Sequence, residues 1–313
     1  MNFPRNFLLA MVLAGATATS VFSQSTAPSA GGSVGSGQGP ATIPALSGLW
    51  AHPGLGFGPP LAGPGPVTNR SRLPSGQSNF NKLAGDYTNP ILKPEAAEVV
   101  KKLGELSLSG QVFPDPDNQC LQNPVPYLFW NFFLRLIQLP DKVVFLYSHD
   151  DDFREVPLNK PHPATVIPSI HGDSVGRYEG DTLVIDTIGI KLGPYRYIDR
   201  FGTPYTQALH VIERYRLLDY EATKEALERA AKEWPSAGAN VDRNYRGKGL
   251  QLEFTVEDEG VFTMPWSATV TYGRDGSPDW EERVCAENVQ HDYQELHYSD
   301  KNAHPPTADK PDF

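Results

Sequence analysis

Two histidines and a set of carboxylates are the side chains best suited to moving protons in this chain. His162 lies in Pro161-His162-Pro163, a stiff extended loop in which the ring has little entropy left to lose when it acts. Histidine titrates near neutral pH, which makes it the default general acid or base. His210 opens the segment HVIERYRL. Strand alternation puts His210, Ile212, Arg214 and Arg216 on one face, and Val211, Glu213, Tyr215 and Leu217 on the other. A face with a His and two Arg is either solvated or turned into a polar cavity. The carboxylates come from two stretches. In YSHDDDFRE, residues 147–155, Asp152 and Arg154 are two apart and share one strand face. In a cavity they would orient a carboxylate or carbonyl group; otherwise they form a structural ion pair. In GDSVGRYEGDTLVIDT, residues 172–187, Asp173, Glu179, Asp181 and Asp186 surround Arg177.

These residue types suit acid/base chemistry on a small, partly apolar molecule. His162 or His210 would move the proton, with Asp152 or Glu179 as its carboxylate partner. Arg154 and Arg214 would hold an oxyanion or carboxylate, Tyr147 would donate a hydrogen bond, and Arg177 and Asp181 would contact substrate. Plainer readings stand beside each of these. Glu179-Gly180-Asp181 reads as a tight turn with solvated acids, the PHP segment as a surface turn, and the Arg face as solvent-facing. The Asp run lacks the alternate ligand spacing and turn glycine of a calcium loop, and no H-x-H or H-x-x-x-H occurs, so neither metal nor cofactor is expected. The G-x-S-x-G at residues 172–176 runs into a strand pattern and not into the strand-to-helix elbow of a nucleophilic serine, and there is neither a phosphate loop nor a G-x-G-x-x-G before a helix. With no nucleophile evident, a lyase or isomerase is favoured over a hydrolase. Two other classes stay open: a carrier that holds an apolar ligand, and an envelope partner-binding module.

The elements that would position these groups are largely β. Arg5, the apolar run FLLAMVLAGA and the small residues Val21 and Ser23 read as a signal peptide over 1–23. The protein is therefore expected in the periplasm or outside the cell, with no membrane span. Residues 24–44 are mostly Ser, Gly, Pro and Ala with almost no large apolar side chains, a flexible tether. A single domain is expected over 45–300, then a polar tail over 301–313. A formal charge of −10 argues against nucleic acid as a partner. Residues 50–90 read as irregular chain over the surface. Pro94 starts a helix over 94–106, and YEATKEALERAAKEW predicts a second over 220–234. Between and after them come short strand patterns: DKVVFLYSH, FREVPL, SVGRYEG, DTLVIDTIGI, ALHVIERYRLL, LQLEFTVED, FTMPWSATVTYG and WEERVCAE. Such spacing predicts a mainly β domain, an antiparallel barrel or sandwich. The inserted helix is either a lid over an open barrel end or a decorated strand connection. Cys120 and Cys285 are either bridged, as suits an exported protein, or two free thiols.

Several pieces together resemble a group of uncharacterised exported proteins of soil and aquatic bacteria, whose members carry G-x-S-x-G-x-W-E-G-D-T-L-V-V-D-T. Here the matching pieces, in order, are Asp152 with Arg154, Pro161-His162-Pro163, GDSVGRYEGDTLVIDT, ALHVIERYRL, TMPWS at 263–267 and CAEN at 285–288. Cys120 before a Pro-rich stretch also fits. The resemblance covers roughly residues 115–290 and implies a lipocalin-like or related β-barrel, without implying a reaction. Tyr178 stands where the group has Trp, and the helix at 220–234 looks inserted into a connection that is usually short.

Overall fold

The computed structural model describes residues 43–53, 56–131, 133–148, 152–234, 241–276 and 285. The leader, the tether up to residue 42, the WEERVCAE segment apart from Cys285, and the tail lie outside the described residues, as do His149, Asp150 and Asp151.

Nine strands form one antiparallel sheet: β1 (Gly48–Ala51), β2 (Phe133–Gln138), β3 (Lys142–Tyr147), β4 (Phe153–Pro157), β5 (Asp173–Glu179), β6 (Thr182–Ile188), β7 (His210–Leu218), β8 (Gly249–Glu257) and β9 (Trp266–Arg274). Their order is β4-β3-β2-β1-β9-β8-β7-β6-β5. Alternation drives the folding. In β3, KVVFLY, every second residue is buried, which fits a strand with one face on a core. β1 is only four residues long, yet it joins the two halves by pairing with both β2 and β9. Of residues 50–90, read as irregular chain over the surface, Trp50 and Ala51 belong to this strand. GLWA is too short to show alternation, and its Trp50 is buried beneath the sheet.

The sheet curls until its edges meet, but no ladder closes it into a barrel. An odd number of antiparallel strands leaves the two edges pointing the same way. The contact between β4 and β5 is accordingly a single parallel bridge, Leu158 to Gly176, with the Asn159 N–H donating to the Gly176 carbonyl at 2.7 Å. Gly176 lets the edges approach: a Cβ there would sit 3.0 Å from both Leu158 Cδ2 and Val156 Cγ1. The concave side is filled. Phe145, Tyr147, Tyr215, Tyr272, Phe254 and Trp266 are all nearly inaccessible, and Phe145 meets Tyr215 across the curl with ring centroids 5.2 Å apart.

Both expected helices are present. α1 (Pro94–Leu108) has Pro at its start and buries Ala96, Val100 and Gly104. α2 (Tyr220–Glu233) is capped by the Asp219 carboxylate, which accepts from the Ala222 N–H at 2.8 Å. α2 packs on β8 and β9. Thr223 at its second turn accepts the Gly249 N–H at 3.1 Å. It is thus a layer against the outer side of two strands, the decorated connection and not a lid on the sheet's open end. Cys120 and Cys285 are bridged, with Cα atoms 5.4 Å apart. No helix of the described residues is long and apolar enough to cross a membrane.

Candidate functional site

The two sequence-selected histidines meet on the outer face of the sheet. β5 to β8 turn Ser174, Thr187, Val211, Glu213 and Val256 inward, so Asp173, Asp186, His210 and Glu257 project outward. His210 and Glu257 are directly opposed in the β7–β8 ladder. Asp186 lies opposite Ile212 on one side and Val175 on the other. The loop carrying His162 is laid along β6 and its exit: the Ser169 N–H donates to the Gly189 carbonyl, and the Lys191 N–H returns to the Ser169 carbonyl. Gly189 has φ of +67°, and a Cβ there would press within 2.3 Å of Val166 in that loop. Glycine at this point lets the loop come down onto the sheet.

The result is a chain of alternating carboxylates and imidazoles. His162 Nδ1 is 2.6 Å from Asp173 Oδ1, and its Nε2 is 3.2 Å from Asp186 Oδ1. His210 Nε2 is 3.0 Å from the same Asp186 oxygen, and its Nδ1 is 3.3 Å from Glu257 Oε2. The side chains are about one-fifth to one-half exposed, so substrate-sized molecules can reach them. Partial burial opposes the His162 imidazolium. Hydrogen bonds to Asp173 and Asp186 and their charges outweigh that, and the His162 pKa is raised above its ordinary value. His162 therefore stays protonated to higher pH than a free imidazole and is suited to act as an acid.

The carboxylate partners are not the expected ones. Asp152 is buried at the inner end of β4, 3.4 Å from His171 Nε2, and accepts the Asn123 N–H at 3.3 Å. Arg154 lies on the same inner face but does not pair with it. Its guanidinium grips Glu213 with both nitrogens, at 2.7 and 3.1 Å, and reaches Ser174 at 3.0 Å and Thr187 at 3.3 Å. Tyr215 donates to Glu213 at 2.9 Å. The Tyr147 hydroxyl is 3.5 Å from Arg154, and burial pushes its pKa up to about 12, against the pull of the guanidinium. Arg154 and Tyr147 thus belong to an interior clamp and are separated from the histidines by the sheet itself.

Glu179 does not reach a histidine either. It sits at the β5–β6 turn, the opposite end of the hairpin from Asp173, where its oxygens take Arg177 and Arg214. These hydrogen bonds, Arg177 first and then Arg214, hold its carboxyl below the usual range. Asp181 is exposed in the same turn and accepts from Thr182. Arg177, Arg214, Glu179 and Asp181 therefore form surface pairs, as the turn chemistry suggests.

A second polar cluster has no counterpart in the sequence reading. Tyr127 Oη lies 3.3 Å from Asp115 and 3.4 Å from Asp117, and Asp117 pairs with the half-buried Arg200. Burial, then the neighbouring Asp117 charge, raises the Asp115 pKa to about 6. The disulfide adjoins it, with Cys285 Sγ 3.4 Å from the Asp117 carbonyl. Two Asp flanking a proline in PDPD gave little local signal, because their chemistry depends on burial by distant segments.

Among the described residues no group of three or more His, Cys, Asp or Glu side chains is arranged to hold a metal ion. No family model, curated protein or solved structure matches the chain.

Proposed function

We propose that the protein is an enzyme of acid/base chemistry, a lyase or isomerase, acting at the Asp173–His162–Asp186–His210–Glu257 chain. One observation carries this reading: both imidazoles direct Nε2 to the same oxygen of Asp186, at 3.2 and 3.0 Å. A carboxylate shared by two imidazoles is a proton relay. His162, held by Asp173, is the proton donor. His210, steadied by Glu257, is the base, and Asp186 passes the proton between them. Asp173 and Glu257 act as positioning residues.

The carrier alternative has less support. A lipocalin-like carrier would need space inside the curled sheet, which is filled by aromatic side chains and by the Arg154–Glu213 clamp. In this proposal the protein acts in the periplasm or outside the cell, after removal of residues 1–23.

The test is incubation of the protein with a bacterial small-molecule extract in deuterated water. The expected result is depletion of a compound, or its gain of one deuterium, that disappears with His162→Gln, His210→Gln or Asp186→Asn. No change with the wild-type protein, or an unchanged turnover in all three variants, removes the reading.

A further inference from the structure

A cleft of about 600 Å³ opens between α2 and the chain at 241–249. This volume falls in the range of small-molecule sites. Its floor is apolar, with Leu227, Val241 and Trp234, and Tyr220 and Tyr245 stand at its sides. Four cations also line it: Lys224, Arg243, Arg246 and Arg274. The chain as a whole carries a formal charge of −10, so four cations against two carboxylates, Glu228 and Asp242, on one cleft are a local reversal of sign.

Among the described residues no carboxylate forms an ion pair with Lys224, Arg243 or Arg246, and Arg274 lies over the Trp50 ring, 5.4 Å from its centre. The contrast with their surroundings is informative. On the same helix Arg229 pairs with Glu225, and at the β5–β6 turn Arg177 and Arg214 share Glu179. Lys224 and Glu228 are one helical turn apart and both line the cleft, yet they make no bridge. Asp242 also lines it, but its carboxylate is turned to the Asn244 N–H at 2.8 Å. Arg246 is already placed. Its guanidinium lies 5.1 Å from the centre of the Tyr220 ring, and its Nη1 donates to the Arg243 and Tyr245 carbonyls. A planar cation held over an aromatic ring keeps its remaining N–H groups for an incoming oxyanion.

We propose that this cleft binds a small carboxylate with an apolar or aromatic body. The carboxylate meets Arg246, Arg243 and Lys224, and the body lies on Leu227, Val241 and Trp234. This site is separate from the histidine chain. Gly249 lines the cleft and pairs with Leu218 at the far end of β7, whereas His210 is at its start. The eight steps between them span about 26 Å at about 3.3 Å each. The inference therefore stands or falls apart from the acid/base proposal.

The test is a titration of the whole protein with 4-phenylbutyrate, followed by ligand-observed NMR and by Trp fluorescence. The primary amide of the same acid is the neutral control, and inorganic phosphate is the bare anion. Saturable binding of the acid is expected, at least tenfold tighter than the amide, weakened by added salt and not reproduced by phosphate. Arg243→Gln with Arg246→Gln should weaken the acid about tenfold and leave the amide unchanged, and His162→Gln should leave both unchanged. Circular dichroism checks that the surface variants remain folded. Equal affinity for acid and amide, no saturable binding, or equal binding by the double variant overturns the proposal.

Discussion

Replacing Asp199 by Asn should make the protein more stable at pH 8 and leave the advantage largely absent at pH 4. Asp199 is 1% exposed. Its Oδ1 accepts the N–H groups of Phe201 at 2.9 Å and Thr203 at 3.1 Å, and no cation pairs with it among the described residues. Burial raises its pKa from 3.8 to about 6 against the opposing hydrogen bonds. A carboxyl whose folded pKa is raised contributes its full stability below pH 3.8, where both states are protonated. That contribution is lost as pH climbs through about 6, because the native state must then ionise a buried acid. A gap of about two pH units at about 1.4 kcal/mol each makes the loss about 3 kcal/mol, of which about 2.5 kcal/mol falls between pH 4 and pH 8. An Asn oxygen accepts the same two N–H groups without ionising. Its amide adds an offset that does not vary with pH, so the informative quantity is the change in the variant's advantage across the pH range. Urea unfolding of both proteins at pH 4, 5, 6, 7 and 8, fitted with a common slope, measures it. A difference between the two proteins that is the same at pH 4 and pH 8 would refute the assignment of Asp199 as the ionising group.

Arg154→Met should cost about 3–5 kcal/mol, because it leaves the Glu213 carboxylate buried without a partner. The double variant with Glu213→Leu should recover much of that loss in the same urea assay, giving a large coupling term in the cycle. His162→Gln should destabilise more at pH 6 than at pH 9: stability from a histidine with raised pKa is present below about 6.5 and is lost as pH passes its folded pKa, and NMR titration of the ring gives that pKa directly. Reduction of the disulfide, or Cys120→Ser with Cys285→Ser, releases a loop of 165 residues and should lower stability by up to about 5 kcal/mol in the chain-entropy model, read as a lower denaturation midpoint.

Much of the framework was legible because it is local. The burial alternation of KVVFLY, Pro94 at the start of α1 and the carboxylate of Asp219 capping α2 act within a few residues of one another. The hairpin in GDSVGRYEGDTLVIDT was legible for the same reason, but the shared outward face of Asp173 and Asp186 became apparent only from the β5–β6 register. What failed was long-range pairing. Asp152 and Arg154 share a face, and sequence spacing alone made them partners. In the folded chain Glu213, 59 positions away, outcompetes Asp152 for the guanidinium. A clue was present: Glu213 alternates with Val211 and Tyr215, and a carboxylate on an apolar face requires a buried cation. Glu257 was read only as part of a strand, because its role exists only once β8 lies beside His210. Asp115 and Asp199 were silent for a different reason, since an acid's pKa is set by desolvation from segments far along the chain.

The meeting of β4 and β5 has a consequence for solubility. A free sheet edge is a template on which another chain can add a strand. In this fold the two edges are turned toward each other, with one backbone bridge and the Arg154–Ser174 hydrogen bond holding them together. Each edge thereby screens the other from neighbouring molecules. Glycine at position 176 and the guanidinium of Arg154 guard against intermolecular strand pairing as well as contributing to folding. Substitutions that pry this contact open, such as Gly176→Val, would expose two sticky edges at once in a molecule whose core is otherwise intact.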